Sequence, residues 1–355
     1  MSSKEITVLV TGVGGGSLGR ELLKAFSMAK QKYRIISADM SKYSLGLHET
    51  KNHYITPSAL SPDYLEKLNK ICKIENIQAI AAGSEQEIEQ ISKNSKVFEE
   101  NGIVVLSNPI NIIELCSDKF TIMDFLSKKG ISCPKTILFK NKSDIKKIGS
   151  FPVIIKPRKG AGSRNVFIAY DESDAVFFCN YLNKYGSNPI IQEYLENSDE
   201  EFTIGVLYAD DGRLITSIAM KRFLKGGLST RQITVNPFTD RNDIISSGIS
   251  QGFFEDFLDV REFGITIAKA IGANGPINIQ CRRQGKQIIP FEINPRFSGT
   301  TAVRSMVGHN EPDILCRYRL FDEIPKKIEI KKGYVFRDLS EKFISNDTIE
   351  KIPRI

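Results

Sequence analysis

The chain has 355 residues, 41% hydrophobic and 26% charged, with 49 Lys and Arg against 42 Asp and Glu for a net charge of +7. That is enough chain for two or three modules and a sizeable core, in proportions ordinary for a globular protein rather than a disordered or collagen-like one. The mild positive excess suits anionic small molecules, and no Lys/Arg block interleaved with aromatics is present, so a nucleic-acid partner is not expected.

The first third alternates strand and helix. Ile6 to Val10 is an apolar, β-rich run, followed by the glycine loop Thr11 to Gly19 and a helical pattern from Arg20 to Ala29. Arg34 to Ala38 reads as a second strand ending at Asp39, a helix from Asp63 to Glu75 leads into a third strand at Ala79 to Ala82, Glu85 to Val97 is helical, and Val104 to Leu106 is a short strand. This order implies a parallel sheet with helices on its faces. Asn108-Pro109 is a plausible boundary, since a residue before proline is steered away from helix. A helix from Lys119 to Lys129 then stops at Gly130. Pro152 to Pro157, Asn165 to Tyr170, Pro189 to Tyr194, Glu201 to Tyr208 and Leu214 to Met220 read as strands, and Phe254 to Ile271 as a helix. Pro276 to Arg282 and Gln287 to Asn294 form a hairpin across Gln284-Gly285-Lys286. The lysine-rich stretch after Ile324 carries no assignable chemistry.

Apolar runs such as Ile6 to Val10 are strand-length and too short to span a bilayer, and the N-terminus lacks an apolar leader core. Six scattered cysteines without a CxxC pair read as reduced thiols, and three histidines have no metal-ligand spacing. A cytoplasmic protein with no membrane association is the expectation.

The glycines of the first loop, with Asp39 at the end of the next strand, look like a dinucleotide fingerprint. Alone they do no more than close a strand-to-helix turn, and the stronger chemistry lies downstream. Lys156 sits in an otherwise apolar strand, where an unpaired cation is costly to bury and a phosphate oxygen would be its natural partner. The loop Lys159 to Arg164 has glycines that allow close backbone approach to phosphates and cations that neutralise them. Glu292 and Asn294 alternate on one strand and so share a face, and Gln280 on the partner strand can face them. One carboxylate and two amide oxygens make a hard-oxygen set suited to Mg²⁺ (or Mn²⁺). Cys281, by the same alternation, points to the opposite face and into a core.

Four blocks in this order are similar to the ATP-grasp superfamily, in its carbamoyl-phosphate-synthetase-like branch. They are Ser117-Asp118-Lys119, the segment Pro152 to Arg164, Gln192-Glu193-Tyr194-Leu195 followed by Glu201, and Gln280 with Glu292-Ile293-Asn294-Pro295-Arg296. The resemblance covers about Asn108 to Asn310, and the N-terminal part looks like the pre-ATP-grasp domain, which does not bind NAD. It implies mixed α/β and α+β architecture, an N-terminal parallel-sheet domain followed by a two-lobed ATP-grasp fold. The expected division is a pre-ATP-grasp domain over 1–107, a small lobe with a phosphate lid over 108–190, a large lobe with the metal site over 191–325, and an extension over 326–355.

By the same resemblance, Lys119 and Lys156 contact nucleotide phosphates, and Gly160, Gly162 and Ser163 belong to the lid. Glu193, Tyr194 and Leu195 form the adenine-binding linker, and Glu201 holds the ribose. Gln280, Glu292 and Asn294 are the metal ligands, while Arg296, with Lys156, stabilises the transferring phosphoryl group. Many ATP-grasp ligases have an acid where this chain has Gln280, although glutamine also occurs there in the carbamoyl-phosphate-synthetase-like branch, and one charge fewer implies lower metal affinity; Asn165 stands where glycine is common. Arg222 and Arg231, on a basic segment with Lys225, Gly226 and Gly227, and Ser298, Gly299, Thr300 and Arg304 after the metal strand, are the candidates for substrate contacts.

The implied activity is a ligase that uses Mg-ATP to turn a carboxylate into an acyl phosphate and joins it to an amine. The partners would be small-molecule carboxylate and amine substrates, and a homodimer is compatible with the sequence. Alternatives are a carboxylase or carbamoyl-phosphate-type enzyme acting on bicarbonate, a non-catalytic nucleotide-binding protein, and an NAD oxidoreductase resting on the glycine loop alone. A single grasp unit without a glutaminase-like segment leaves out a complete carbamoyl-phosphate synthetase.

Overall fold

A computed structural model describes residues 5–160, 162–196, 200–224, 228–239 and 241–355. The N-terminal unit is built on a parallel sheet of β1 (Ile6–Thr11), β2 (Tyr33–Asp39), β3 (Asn52–Ile55), β4 (Ala79–Ala81) and β5 (Val104–Val105). Its strand order is β3-β2-β1-β4-β5. The helices α1 (Leu18–Ser27), α2 (Tyr64–Glu75), α3 (Glu85–Lys93) and α4 (Ser95–Glu99) connect these strands. The helix expected over 85–97 is therefore two, broken at Asn94, whose amide donates back to Gln90 O. The glycines at the loop have packing reasons. A Cβ on Gly19 would lie 2.4 Å from Gly12 O, one on Gly83 2.3 Å from Thr11 O, and Gly12 has a φ of +61°. Only glycine lets α1 approach β1 and β4 so closely.

Next come α5 (Ile110–Ser117) and α6 (Lys119–Lys128), and then the strands β6 (Thr136–Leu138), β7 (Val153–Pro157), β8 (Phe167–Ala169) and β9 (Pro189–Glu193), with α7 (Glu172–Lys184) between the last two. These four strands form a sheet in the order β6-β9-β7-β8, and α7 covers it with a core of Val153, Ile155, Ala175, Cys179 and Leu182. The larger lobe is a six-stranded sheet, β16-β15-β10-β11-β14-β17. Its members are β10 (Glu201–Tyr208), β11 (Leu214–Arg222), β14 (Gly252–Phe254), β15 (Pro276–Gln284), β16 (Gln287–Asn294) and β17 (Gly333–Val335). A separate ribbon pairs β12 (Thr230–Val235) with β13 (Asn242–Ser246). The helices of this part are α8 (Leu258–Ala270), α9 (Thr301–Met306), α10 (Glu311–Phe321) and α11 (Asn346–Glu350).

The large sheet separates an oily face from a polar one. Phe202, Ile204, Val206, Ile277, Ile279, Cys281 and Ile293 pack with α8 and with Ile112, Cys116, Ile122 and Leu126 of α5 and α6. Residues of α5 and α6 thus pack into the core under the large sheet, while the start of α6 also bonds to the small lobe at Arg158 O. The alternate residues Glu201, Thr203, Asn278, Gln280 and Arg282 face the other way. The last stretch, which sequence reading left unassigned, ties the molecule together. β17 extends the large sheet beside β14, Arg337 pairs with Glu21 of α1 at 2.6 Å, and Ile55 N donates to Pro353 O at the edge of the N-terminal sheet.

Candidate active site

A cleft enclosing about 780 Å³, open mouth included, lies between the two lobes. Lys119, Lys156, Gly160, Ser163, Arg164, Gln192, Glu193, Tyr194, Leu195, Gln280 and Glu292 all line it. The four motif blocks, which span more than 170 residues of chain, therefore meet. Apolar walls come from both sides, with Ile154 and Val166 from the small lobe and Ile244, Ile245 and Phe291 from the large one.

Lys156 is buried on β7, where alternation turns it, with Ile154, toward the cleft and away from Val153 and Ile155 of the small-lobe core. Its ammonium donates to Gln192 Oε1 at 2.8 Å and to Phe291 O at 3.2 Å, and it has no ion pair among the described residues. Burial pulls its pKa down to about 8, partly offset by the charge of Glu292 and reinforced by that of Lys119. Lys119 opens α6, whose start is capped by Asp118, which accepts from the Phe120 and Thr121 amides and pairs with Arg158 at 2.7 Å. The Lys119 ammonium donates to Gly160 O, so the strand end, the helix start and the glycine loop form one unit. In that loop Gly160, Gly162, Ser163 and Asn165 all have positive φ, a conformation asparagine tolerates at Asn165. Ser163 Oγ donates to Ser246 O across the cleft. Ala161 lies outside the described residues.

Past Glu193 the chain leaves β9, so the peptide groups of Tyr194 and Leu195 are not part of a sheet ladder. The Glu193 carboxylate accepts from Lys135 N, and Tyr194 Oη donates to Asp243 of β13 at 2.8 Å. Asp243 also accepts from Tyr170, which joins the two-stranded ribbon to the small lobe, and from Asn236 in the ribbon's own turn.

On the polar face of the large sheet, Gln280 stands directly opposite Glu292 and Asn278 opposite Asn294. Neither Glu292 nor Asn294 has a side-chain hydrogen bond among the described residues. Asn294 is buried, and neither it nor Arg296 is on the cleft wall. Arg296 pairs instead at 3.2 Å with Glu85, at the start of α3 in the N-terminal unit.

Several expected site residues are elsewhere. Glu201 is fully buried, and its oxygens are taken by Arg222 and by Arg282 at 3.0 Å. Burial raises its carboxyl pKa, but the two guanidinium charges outweigh that and hold it below the ordinary range. So paired, Glu201 is not among the cleft-lining residues, in contrast to the expected ribose contact. Arg222 is likewise interior, not on a substrate loop. Arg304 is buried against Glu311 at 3.0 Å and donates to Thr203 and Asn278, so it is a core ion pair and not a substrate contact. Ser298 and Thr300 are buried and bonded to each other, while Gly299 O accepts from Arg337. Arg231 lies on β12, off the cleft wall, and Lys225, Gly226 and Gly227 fall outside the described residues.

Sequence reading missed Arg282 and β13. Arg282 follows Gln280 by two residues on the same strand, so alternation alone places it on the same face. Asp243 to Ser246 is a short β-branched run that could have been read as a strand, though nothing in it signals a cleft wall.

Three family models match this chain. One described as a PylC-like N-terminal domain covers residues 8–106, one described as a RimK-like ATP-grasp domain covers 116–222, and one described as ATP-grasp in the biosynthetic pathway with Ter operon covers 187–342. The carbamoyl phosphate synthase large chain of Clostridium beijerinckii is 28% identical over 223 residues, 61% of this chain and 20% of that protein. Its counterpart in Streptomyces avermitilis is 23% identical over 320 residues, 84% of this chain and 27% of that one. The chain thus spans only about a fifth to a quarter of the length of these relatives. Among solved structures, biotin carboxylase from Campylobacter jejuni in complex with β,γ-ATP has a TM-score of 0.66 at 17% identity, covering 91% of this chain and 73% of that one. N5-carboxyaminoimidazole synthetase from Staphylococcus aureus complexed with ADP gives 0.66 at 16% identity, covering 93% and 82%. At such identities the likeness shows the fold alone. No helix among the described residues is long and apolar enough to cross a membrane.

Proposed function

Because this chain belongs to the ATP-grasp superfamily, in its carbamoyl-phosphate-synthetase-like branch, we propose that it is an ADP-forming ligase that joins a carboxylate to an amine at the expense of ATP. The observation that carries this reading is Lys156, a buried ammonium with no ion pair among the described residues, lining the same cleft as Glu292. A cation held there at a desolvation cost is explained by an anionic ligand.

The adenine would lie between Ile154, Val166, Leu195 and Phe291, with its polar edge against the peptide groups of Tyr194 and Leu195. Lys119, Lys156, Arg164 and the loop amides around Gly160 and Gly162 would take the phosphates, with Ser163 closing over them. Glu292 and Asn294, whose oxygens no group among the described residues engages, fit a hard cation, and Mg²⁺ bound there would supply charge neutralisation on the phosphates. A substrate carboxylate oxygen attacks the γ-phosphorus and ADP leaves. The amine nitrogen then attacks the acyl carbon, the bond to the phosphoryl oxygen breaks, and inorganic phosphate departs as the nitrogen loses a proton. The protein's part is positioning and charge complementarity, and Arg296 would meet the transferring group once it parts from Glu85. The names of the relatives, carbamoyl phosphate synthase and biotin carboxylase, make bicarbonate the second candidate for the acid.

The test has two stages. Mg-ATP should raise the melting temperature, as any ligand of the folded state does, and NADH should not. ADP release is then screened against pools of amino acids, sugar acids and bicarbonate. A shift with NADH and none with Mg-ATP overturns the reading.

A further inference from the structure

The polar face of the large sheet contains an arrangement that the proposed chemistry does not use. Arg222, on β11, is 1% exposed at its side chain. Its Nη1 donates to Glu201, to Ser246 Oγ at 3.1 Å and to Gln280 Oε1 at 3.1 Å, and its Nη2 donates to Ser247 O at 2.6 Å. A guanidinium offers donors only, so Gln280 must turn its oxygen toward Arg222 and leave its NH₂ group for the cleft. Gln280 stands directly opposite Glu292 in the strand register. The oxygen that would complete a cation site is therefore taken, and a metal on its second lone pair, at about 2.1 Å, would lie close to a fixed positive charge. Glu201 cannot substitute, because it is buried and both its oxygens are paired.

We infer that the site takes a single divalent cation with the nucleotide, held from the Glu292–Asn294 side, because Arg222 engages the Gln280 oxygen and puts a permanent charge where a second ion would bind. This deepens the proposed function and rests on it. Two ions roughly 4 Å apart repel each other, and beyond the charge of the triphosphate the protein must add anionic ligands where the second ion sits. Of the two carboxylates among the described cleft-lining residues, Glu193 accepts from Lys135 N and Glu292 alone is in register with Gln280, and no group of three His, Cys, Asp or Glu suited to a metal occurs among the described residues. What a second ion would do for the triphosphate is already done by protein cations, since Lys119, Lys156 and Arg164 line the same cleft. Arg222 acts through Gln280 and is a positioning residue; it touches no ligand itself.

The test counts ions. The full chain is saturated with a non-hydrolysable ATP analogue and titrated with Mn²⁺, and bound Mn²⁺ is measured by electron paramagnetic resonance. One ion per chain is expected. Two per chain, with comparable affinities, overturns the inference while leaving the ligase reading intact. Failure of the analogue to bind at all overturns the ligase reading instead. The paired substitution Arg222→Gln with Glu201→Gln removes both members of the ion pair together and frees the Gln280 oxygen. It should tighten Mn²⁺ binding about tenfold in the analogue complex, with metal-free analogue binding as the check on folding. Unchanged Mn²⁺ affinity in a folded double variant overturns the part assigned to Arg222, and if that variant does not fold, the ion count on the parent protein still decides.

Discussion

Replacing Lys156 with methionine should make the empty protein slightly more stable and deprive it of its nucleotide. The depressed pKa, about 8 against 10.5, means that at neutral pH the folded state carries the proton at a cost of about 3 kcal/mol, at 1.36 kcal/mol for each pH unit. Methionine keeps the length and removes that cost. Against it stand two lost hydrogen bonds, to Gln192 and Phe291 O, worth about 1 kcal/mol each. The balance is a gain of about 1 kcal/mol at pH 7, a rise of roughly 1–2 °C for a chain of this size. The pH dependence fixes the sign. Between pH 8 and 10.5 the unfolded lysine still binds a proton that the folded one has released, so the parent gains stability as pH rises through that window. The variant's advantage should shrink over the same range and then reverse. Binding runs the other way, because a triphosphate favours the charged ammonium, so parent affinity for Mg-ATP should fall above pH 8 by up to about tenfold per unit. Thermal melts of both proteins from pH 7 to 10.5, with and without Mg-ATP, test all of this. A variant that is less stable than the parent by about 2 kcal/mol or more at pH 7, yet keeps the nucleotide-induced shift, would refute the reasoning.

Two further substitutions probe the polar layer beneath the site. Glu201→Gln leaves two buried guanidinium groups with a neutral partner and should cost about 3–5 kcal/mol, measured by denaturant unfolding, while nucleotide affinity in the cold changes less than about threefold. A selective loss of affinity at unchanged stability would return Glu201 to the ribose. Gly205→Ala puts a Cβ 2.2 Å from Glu311 Oε1 and 2.3 Å from Arg304 Nη1, so it should break that buried pair and cost about 3 kcal/mol. Gly15→Ala, with nothing within 4 Å, should cost less than about 0.5 kcal/mol in the same assay, and equal effects at the two glycines would contradict the packing.

What could be read from the sequence is what neighbouring residues decide among themselves. The alternation of β1, β2, β4 and β5 with their helices, and the hairpin of β15 and β16, follow from short-range periodicity and turn chemistry, and the structure has them within a few residues of the expected bounds, whereas the edge strand β3 was not read from the sequence. Motif order also brought Lys119, Lys156, Glu193 and Glu292 to one cleft. The sequence could not distinguish Glu201 from Glu292. Both are carboxylates on strands of the same sheet, both turned to its polar face, and each matches a motif. Their difference is who stands across the ladder. Arg282 is in register with Glu201, and Gln280 is in register with Glu292. Arg222 then arrives from β11, 21 residues on in the chain, to close over the first carboxylate. A charge opposite a charge becomes part of the core, and a charge opposite an amide stays available to a ligand. The alternation that put Gln280 beside Glu292 also puts Arg282 on that face, so half of this distinction was within reach once β10 was paired with β15. The other half, the arrival of Arg222, depends on the register in which β11 folds back on β10: the Asp210-Asp211-Gly212 turn signals the hairpin, but the bulge at Leu207/Tyr208 that shifts its register has no such mark.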